Sequence, residues 1–254
     1  MYRIVFLDID GTILNSKDQL DINLIKTIQE LQQRGVLVAL ATGRSLDGAI
    51  IHGERLGISM YVVYNGGYVV SGNDVIHDVK IPARLAYDLC RKTNDLNGVY
   101  IHFSYRSSRS NHAPLGIEYM LPESEIAGIA DTNHDAHRLV LYTDPVQRAA
   151  FQKEIDGAAS FDEGDRLEVF PQGSKWTGIV PLINRLGIAA NEVVAIGNGT
   201  NDIEMLAAAG VGIAMENSPD CVKESADWVT GDNDNHGVDV ALRKVFNLDK
   251  AFIS

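Results

Sequence analysis

Two carboxylates two residues apart, Asp8 and Asp10, follow the apolar run at residues 4–7. On extended chain, side chains two apart point the same way and lie about 6.6 Å apart at about 3.3 Å per residue, so both acids share one space at a strand end. Like charges held that close raise one another's pKa or recruit a cation, and hard oxygen donors suit Mg2+. Gly11 permits the sharp turn that such an arrangement needs. The same pentapeptide, Asp8-Ile9-Asp10-Gly11-Thr12, also fits a polar strand end closed by an Asp-Gly turn.

Thr42-Gly43-Arg44 stands between a second apolar run and a helical stretch. There a hydroxyl and free backbone N–H groups can hold the oxygens of an anion; Thr42 or Ser45 can equally be a plain helix cap. Gly197-Asn198-Gly199-Thr200-Asn201-Asp202 closes another apolar run and opens a helix, which puts amides and a carboxylate at the same carboxyl edge, where open α/β sheets bind ligands. It lacks the third glycine of a dinucleotide fingerprint, and Asn201 or Asp202 can serve as an N-cap. Lys175, after Gly173-Ser174 and ahead of a helical stretch, adds an ammonium able to offset phosphate and carboxylate charge.

The elements that must position these groups follow from hydrophobic periodicity. Strands at 3–7, 36–41 and 60–64 alternate with helices, one started by Asp21 with Leu24, Ile25, Ile28 and Leu31 inward, the next carrying Leu46, Ile50 and Leu56. Asn65-Gly66 signals a tight hairpin turn into alternating stretches at 68–71 and 75–81. From Pro82 to Pro171 the rhythm changes: a helix (83–95), a strand (99–105), a polar loop (106–112), a strand (137–143), a helix (145–156) and a strand (166–170). The βα alternation resumes with a helix at 176–186, where Pro181 predicts a late start or a kink. Strands at 192–196, 211–215 and 228–229 and helices at 201–209, from 218, and at 238–246 complete it. The fold class is α/β: a doubly wound, Rossmann-like parallel sheet formed by residues 1–81 and 172–254, interrupted by an inserted α+β unit at 82–171.

The chain has 254 residues, 34 acidic and 22 basic, for a net charge of −12, and 45% hydrophobic residues. That is enough apolar material for a core. The acidic balance disfavours nucleic acid and anionic membranes, whose binding depends on Lys and Arg. Cys90 and Cys221 form no CxxC pair, so neither a disulfide framework nor a cysteine zinc site is expected. Asp8 interrupts the first apolar run too early for a signal peptide, and no run approaches the ~20 residues of a membrane helix, so a cytoplasmic location is expected.

Four segments in order, DIDGT (8–12), ATGR (41–44), GSK (173–175) and GNGTNDIEML (197–206), resemble the motifs of the haloacid dehalogenase superfamily, and the place of the insertion resembles its Cof-type subfamily of sugar-phosphate and small phosphate-ester phosphatases with a large α+β cap. The resemblance covers essentially the whole chain, with VGIAMENS (211–218), Ala226-Asp227 and 235–238 agreeing. It implies that Asp8 attacks phosphorus to give a phospho-aspartate and that Asp10 serves as general acid and then base. It implies Mg2+ as cofactor, on the Asp8 side chain, the Asp10 carbonyl and the last motif. Thr42, the Gly43 N–H and Lys175 would grip the phosphoryl oxygens, Asn201 would position Lys175 or the phosphate, and Asp202 would hold metal-bound water. A movable cap would exclude water during the reaction. Asn198 departs from the family pattern: it stands where a carboxylate usually ligates the metal, which implies weaker Mg2+ binding or Asp202 moving onto the metal.

The expected partner is a small phosphorylated metabolite. The alternatives are a phosphometabolite-binding or regulatory protein with weak turnover, and a phosphomutase or phosphotransferase that hands the group to a second hydroxyl. His134 and His137, beside Asp131 and Asp135, look like a metal cluster but are expected in a solvated loop. Arg106, Arg109, Asn111 and His112 could present groups to the rest of a substrate or simply be solvated.

Overall fold

A computed structural model describes residues 1–112, 125–126 and 134–249. Two compact units appear, one made of Met1–Gly43, Ala49–His77 and the chain from Ser174 onward, the other of Arg44–Gly48 and Asp78–Gly173. The sequence reading divides the chain a few residues away, at 81 and 172, and gives Arg44–Gly48 to the first unit.

The first unit is built on eight strands. β1 (Ile4–Leu7), β2 (Leu37–Ala41) and β3 (Met60–Val63) come first, followed by β4 (Tyr68–Ser71) and β5 (Asp74–Asp78). After the second unit come β12 (Val193–Gly197), β13 (Val211–Ala214) and β14 (Trp228–Val229). The order across the sheet is β14-β13-β12-β1-β2-β3-β4-β5, parallel as far as β3. Every residue of β1 is buried, as expected for a central parallel strand covered on both faces. Ile4 and Phe6 share one core with Ile179, Leu182 and Ile183 of α5 (Lys175–Leu186) and Met205 and Leu206 of α6 (Ile203–Ala208). Alternation turns Val5 and Leu7 to the other face. On β2, α1 (Ile22–Gln33) packs, and it also packs against α8 (Gly237–Phe246).

From β1 the chain runs outward through β2 and β3, then returns on the other side through β12, β13 and β14. The direction therefore reverses between β1 and β12, the crevice where such sheets place ligands. Leu7 is in register with both Leu40 and Ile196, and the Asp8 N–H donates to the Ile196 carbonyl at 3.0 Å. Three strand ends thus meet beside Asp8.

Two local expectations change. The β3–β4 connection is four residues long rather than two, with Tyr64, Asn65 and Gly66 all at positive φ. Helix α5 neither starts late nor breaks at Pro181. It begins at Lys175, where Ser174 Oγ accepts from the Thr177 N–H and Thr177 Oγ1 accepts from the Ser174 N–H, a capping box that fixes the first turn.

In the second unit a six-stranded sheet has the order β10-β11-β9-β6-β7-β8: β6 (Val99–Ser104), β7 (Ser107–Ser110), β8 (Glu125–Ile126), β9 (Arg138–Tyr142), β10 (Ala158–Asp162) and β11 (Leu167–Pro171). One core cluster joins Leu89 and Cys90 of α3 (Ala83–Asp95) and Phe151 of α4 (Pro145–Glu154) to Tyr100, Leu139, Leu141, Leu167 and Val169 of the sheet. Most of the polar loop expected at 106–112 is strand β7, paired antiparallel with β6 and with Ser108 and Ser110 buried. Its serines carry no apolar alternation, so periodicity alone misses it, as it misses the short, small-residue strand β10.

His137 is not solvated. Its ring is buried, Nδ1 accepts from the Tyr105 N–H at 3.0 Å, and Nε2 donates to Asp78 Oδ1 at 2.9 Å, which fixes the neutral tautomer. His134 packs against His102 with ring centroids 4.6 Å apart and the planes tilted by 59°; Asp131 lies outside the described residues. Burial first, and the neighbouring His134 second, push His102 down to about 4; burial also lowers His137. Unfolded histidine takes up a proton near pH 6.5, whereas folded His102 refuses one until about pH 4. The unfolded state therefore binds more protons in that window, and stability falls as the pH drops through it. The unfolding midpoint should be lower at pH 4.5 than at pH 7.5, and His102→Gln should flatten the difference. Equal slopes for variant and wild type would refute the assignment. Among the described residues no helix is long and apolar enough to cross a membrane.

Candidate active site

Asp8 directly follows β1 with its side chain inside, 6% exposed. Lys175, the first residue of α5, sends its buried Nζ to within 2.7 Å of Asp8 Oδ1 and 2.6 Å of Asp202 Oδ1. One ammonium thus serves two buried carboxylates. Burial pushes Asp8 up to about 7 against the attraction of Lys175; the charges of Asp202 and, more weakly, Asp10 add to the rise. Burial alone would lower Lys175, but the two carboxylates outweigh it and hold the ammonium at about 12.

Asp202 also shapes the loop after β12, since its Oδ2 accepts the N–H groups of Asn198 at 3.0 Å and Gly199 at 2.9 Å. Both of its oxygens are engaged. Between Asp8 and this loop, Thr12 Oγ1 lies 3.3 Å from Asp8 Oδ2 and 3.0 Å from Asn198 Oδ1. Residues 9–13 form an irregular turn with Gly11 at φ +69°, and a Cβ on Gly11 would come within 2.5 Å of Asn198 Nδ2. Asp10 is exposed in this turn.

Thr42 is buried at the end of β2, and its carbonyl accepts the Asn65 N–H at 3.0 Å. Asn65 Oδ1 in turn accepts from Asn201 Nδ2 at 2.9 Å and lies 3.2 Å from where a Cβ on Gly43 would stand. Asn65 is the participant that sequence reasoning missed: the Asn-Gly pair was legible as a turn, and nothing in its pattern showed that the side chain would tie the Thr42-Gly43 segment to Asn201.

The structure therefore joins Asp8, Thr12, Lys175, Asn198 and Asp202 by direct contacts, and Thr42, Gly43 and Asn201 through Asn65. Gly66 secures the lysine's helix. A Cβ there would fall 2.0 Å from the Ser174 carbonyl oxygen, and φ is +98°. Gly66→Ala is expected to cost at least about 2 kcal/mol, combining overpacking with a strained backbone, which thermal unfolding would register. An unshifted midpoint would show that this approach is not tight in solution.

The residues fit a hard cation in one respect that can be measured. The amide atom of Asn198 facing Asp8 stands 2.7 Å from the Asp10 carbonyl oxygen and 3.2 Å from Asp8 Oδ2. Octahedral Mg2+ with ligands at 2.0–2.1 Å spaces neighbouring oxygens about 2.9 Å apart. Among the described residues no group of three or more His, Cys, Asp or Glu side chains could hold a metal ion, so a cation here would rest on one carboxylate, one carbonyl and one amide.

Comparison with known proteins decides the family. A profile of the haloacid dehalogenase-like hydrolases matches residues 5–242. The chain belongs to this family. It is a hydrolase of the Cof type. It is 30% identical over 256 residues to the phosphoglycolate phosphatase of Methanopyrus kandleri, covering 96% of this chain and 97% of that one. A crystal structure of a protein from Geobacillus kaustophilus superimposes with a TM-score of 0.88 at 29% identity, covering 97% and 99% of the two chains. The subclass IIB sugar phosphatase BT4131 shares the fold, with a TM-score of 0.85 at 22% identity over 97% of this chain and 99% of that one.

Proposed function

We propose that this hydrolase is a Mg2+-dependent phosphatase of small phosphorylated metabolites, sugar phosphates foremost, working through a phospho-aspartate on Asp8. The observation that carries the reading is the buried Asp8 carboxylate at the sheet's switch point, with one oxygen held by Lys175 at 2.7 Å. That contact orients the carboxylate and leaves the other oxygen, Oδ2, toward Thr12 and Asn198.

Asp8 attacks phosphorus as the ester P–O bond breaks, and Asp10 gives a proton to the departing oxygen. Water then attacks the phospho-aspartate; Asp10 takes its proton, phosphate leaves and Asp8 is restored. An acid that must both give and take a proton needs access to solvent, and Asp10 is exposed. Thr42, the Gly43 N–H and Lys175 hold the phosphoryl oxygens, while Asn201 supports Thr42 and Gly43 by way of Asn65. Asp202 keeps Lys175 charged and the 198–199 loop in place. Asp8, the Asp10 carbonyl and Asn198 would hold Mg2+, with Asp202 behind them; when bound, the ion neutralises charge on the transferring group.

The phosphatases among the relatives support the reaction class. Release of phosphate from p-nitrophenyl phosphate, then from a panel of phosphorylated sugars, phosphoglycolate and nucleotides with Mg2+, is the test. Free phosphate is the expected product. An isomerised ester would assign a mutase instead, and tight binding without turnover a sensor.

A further inference from the structure

We propose that Asn198 is a two-position amide that closes the cation site from within when no cation is present and turns over to ligate one when it arrives. The proposal rests on the Mg2+ part of the functional reading. Its basis is the set of neighbours around one amide atom: the Asp10 carbonyl oxygen at 2.7 Å, Thr12 Oγ1 at 3.0 Å and Asp8 Oδ2 at 3.2 Å.

With oxygen in that place and Asp8 in the ionised form that binds a cation, the atom accepts from the Thr12 hydroxyl but faces two further acceptors that carry no proton. Three oxygens so close repel one another unless a cation lies among them. With nitrogen in that place, every contact becomes favourable without a cation. The NH2 group donates to the Asp10 carbonyl and to Asp8 Oδ2, and Thr12 Oγ1 accepts from it while donating its own proton to Asp8 Oδ2 at 3.3 Å. The Thr12 hydroxyl thus changes its acceptor as the amide turns.

The surroundings suit such a movement. The terminal torsion of asparagine is broad and nearly two-fold, so a half-turn exchanges O and N within almost the same envelope. The backbone that carries the side chain is held, because Asp202 Oδ2 accepts from the Asn198 backbone N–H. Gly11 leaves room for the outer amide atom, which a Cβ would meet at 2.5 Å. A carboxylate at 198 could not act in this way. Ionised, it only accepts, and without a cation it would add a second negative charge beside an ionised Asp8. The amide therefore keeps the metal-free site ordered and makes Mg2+ displace internal hydrogen bonds on entering, so binding is weak and readily reversed.

The test follows Mg2+ binding by calorimetry and the 15N-labelled side-chain amide of Asn198 by NMR, both without substrate. In the wild type, the Asn198 amide proton pair should move on titration with Mg2+ as its hydrogens leave their acceptors. In Asn198→Asp, Mg2+ should bind at least tenfold tighter, and in chelator the variant should unfold at a lower temperature than the wild type. An amide pair that stays still while Mg2+ binds overturns the proposal, and so does equal or weaker Mg2+ affinity in Asn198→Asp. Failure of Mg2+ to bind either protein overturns the Mg2+ reading as well. The NMR readout uses only the wild type, so the proposal stands or falls even if the variant folds poorly.

Discussion

Lys175→Met should lower the stability of the first unit by about 3–5 kcal/mol, the usual cost of removing one partner from a buried ion pair. The ammonium is fully buried and shared between Asp8 and Asp202, at 2.7 and 2.6 Å. Methionine fills much of the volume, so little of the loss comes from a cavity. What remains is two carboxylates facing each other where neither reaches water. Their repulsion pushes Asp8 further up from its present value of about 7. Because the folded state then holds a proton that the unfolded chain releases near pH 4, the destabilisation should grow as the pH rises from there. At 2–4 °C per kcal/mol for chains of 150–250 residues, the unfolding midpoint of this unit should fall by about 10 °C at neutral pH. Adding Asp202→Asn to Lys175→Met should recover part of that fall, since the two sites are in contact and their effects do not add. A fall below about 2 °C would mean that the ammonium is not the charge on which the site depends.

That lysine illustrates what the sequence could disclose. The four motifs lie at strand ends or helix starts, and the parallel β–α rhythm brings such ends to one edge, so the sequence pattern alone gathers Asp8, Thr42, Lys175 and the 197–202 segment. The burial of Lys175 could not be read there, because it depends on Gly66 admitting the Ser174 carbonyl to within a distance no side chain tolerates. Asn65 was hidden for a related reason. Its hydrogen bond to Asn201 spans 136 residues, and no local pattern encodes a pairing that distant. In the second unit, β7 and β10 carry no signal in the sequence, because small and hydroxyl side chains give no apolar alternation. Pro181 misled in the opposite direction, since a capping box at Ser174 and Thr177 starts the helix whatever the proline costs later.

Asp8→Asn should abolish turnover while leaving the fold as stable or more stable, and the divergence between the two effects is the informative result. If Asp8 forms the covalent bond to phosphorus, an amide cannot replace it, and kcat should fall by about 10^4-fold or more, in the range seen when a nucleophile is removed. Stability follows a different rule. Burial raises Asp8 to about 7, against 3.8 for the free group, so the folded protein holds the neutral form up to that pH while the unfolded chain has already ionised. Across this window the wild type therefore loses stability as the pH rises, and above pH 7 the deficit is complete and constant. Asparagine carries no such burden, and Lys175 keeps Asp202 as its counter-charge. The midpoint of Asp8→Asn relative to the wild type should accordingly climb between pH 5 and pH 8, under conditions where phosphate release is lost. Full activity in the variant would remove the phospho-aspartate, and a variant less stable at pH 8 than the wild type would show that Asp8 is present for the fold rather than for the reaction.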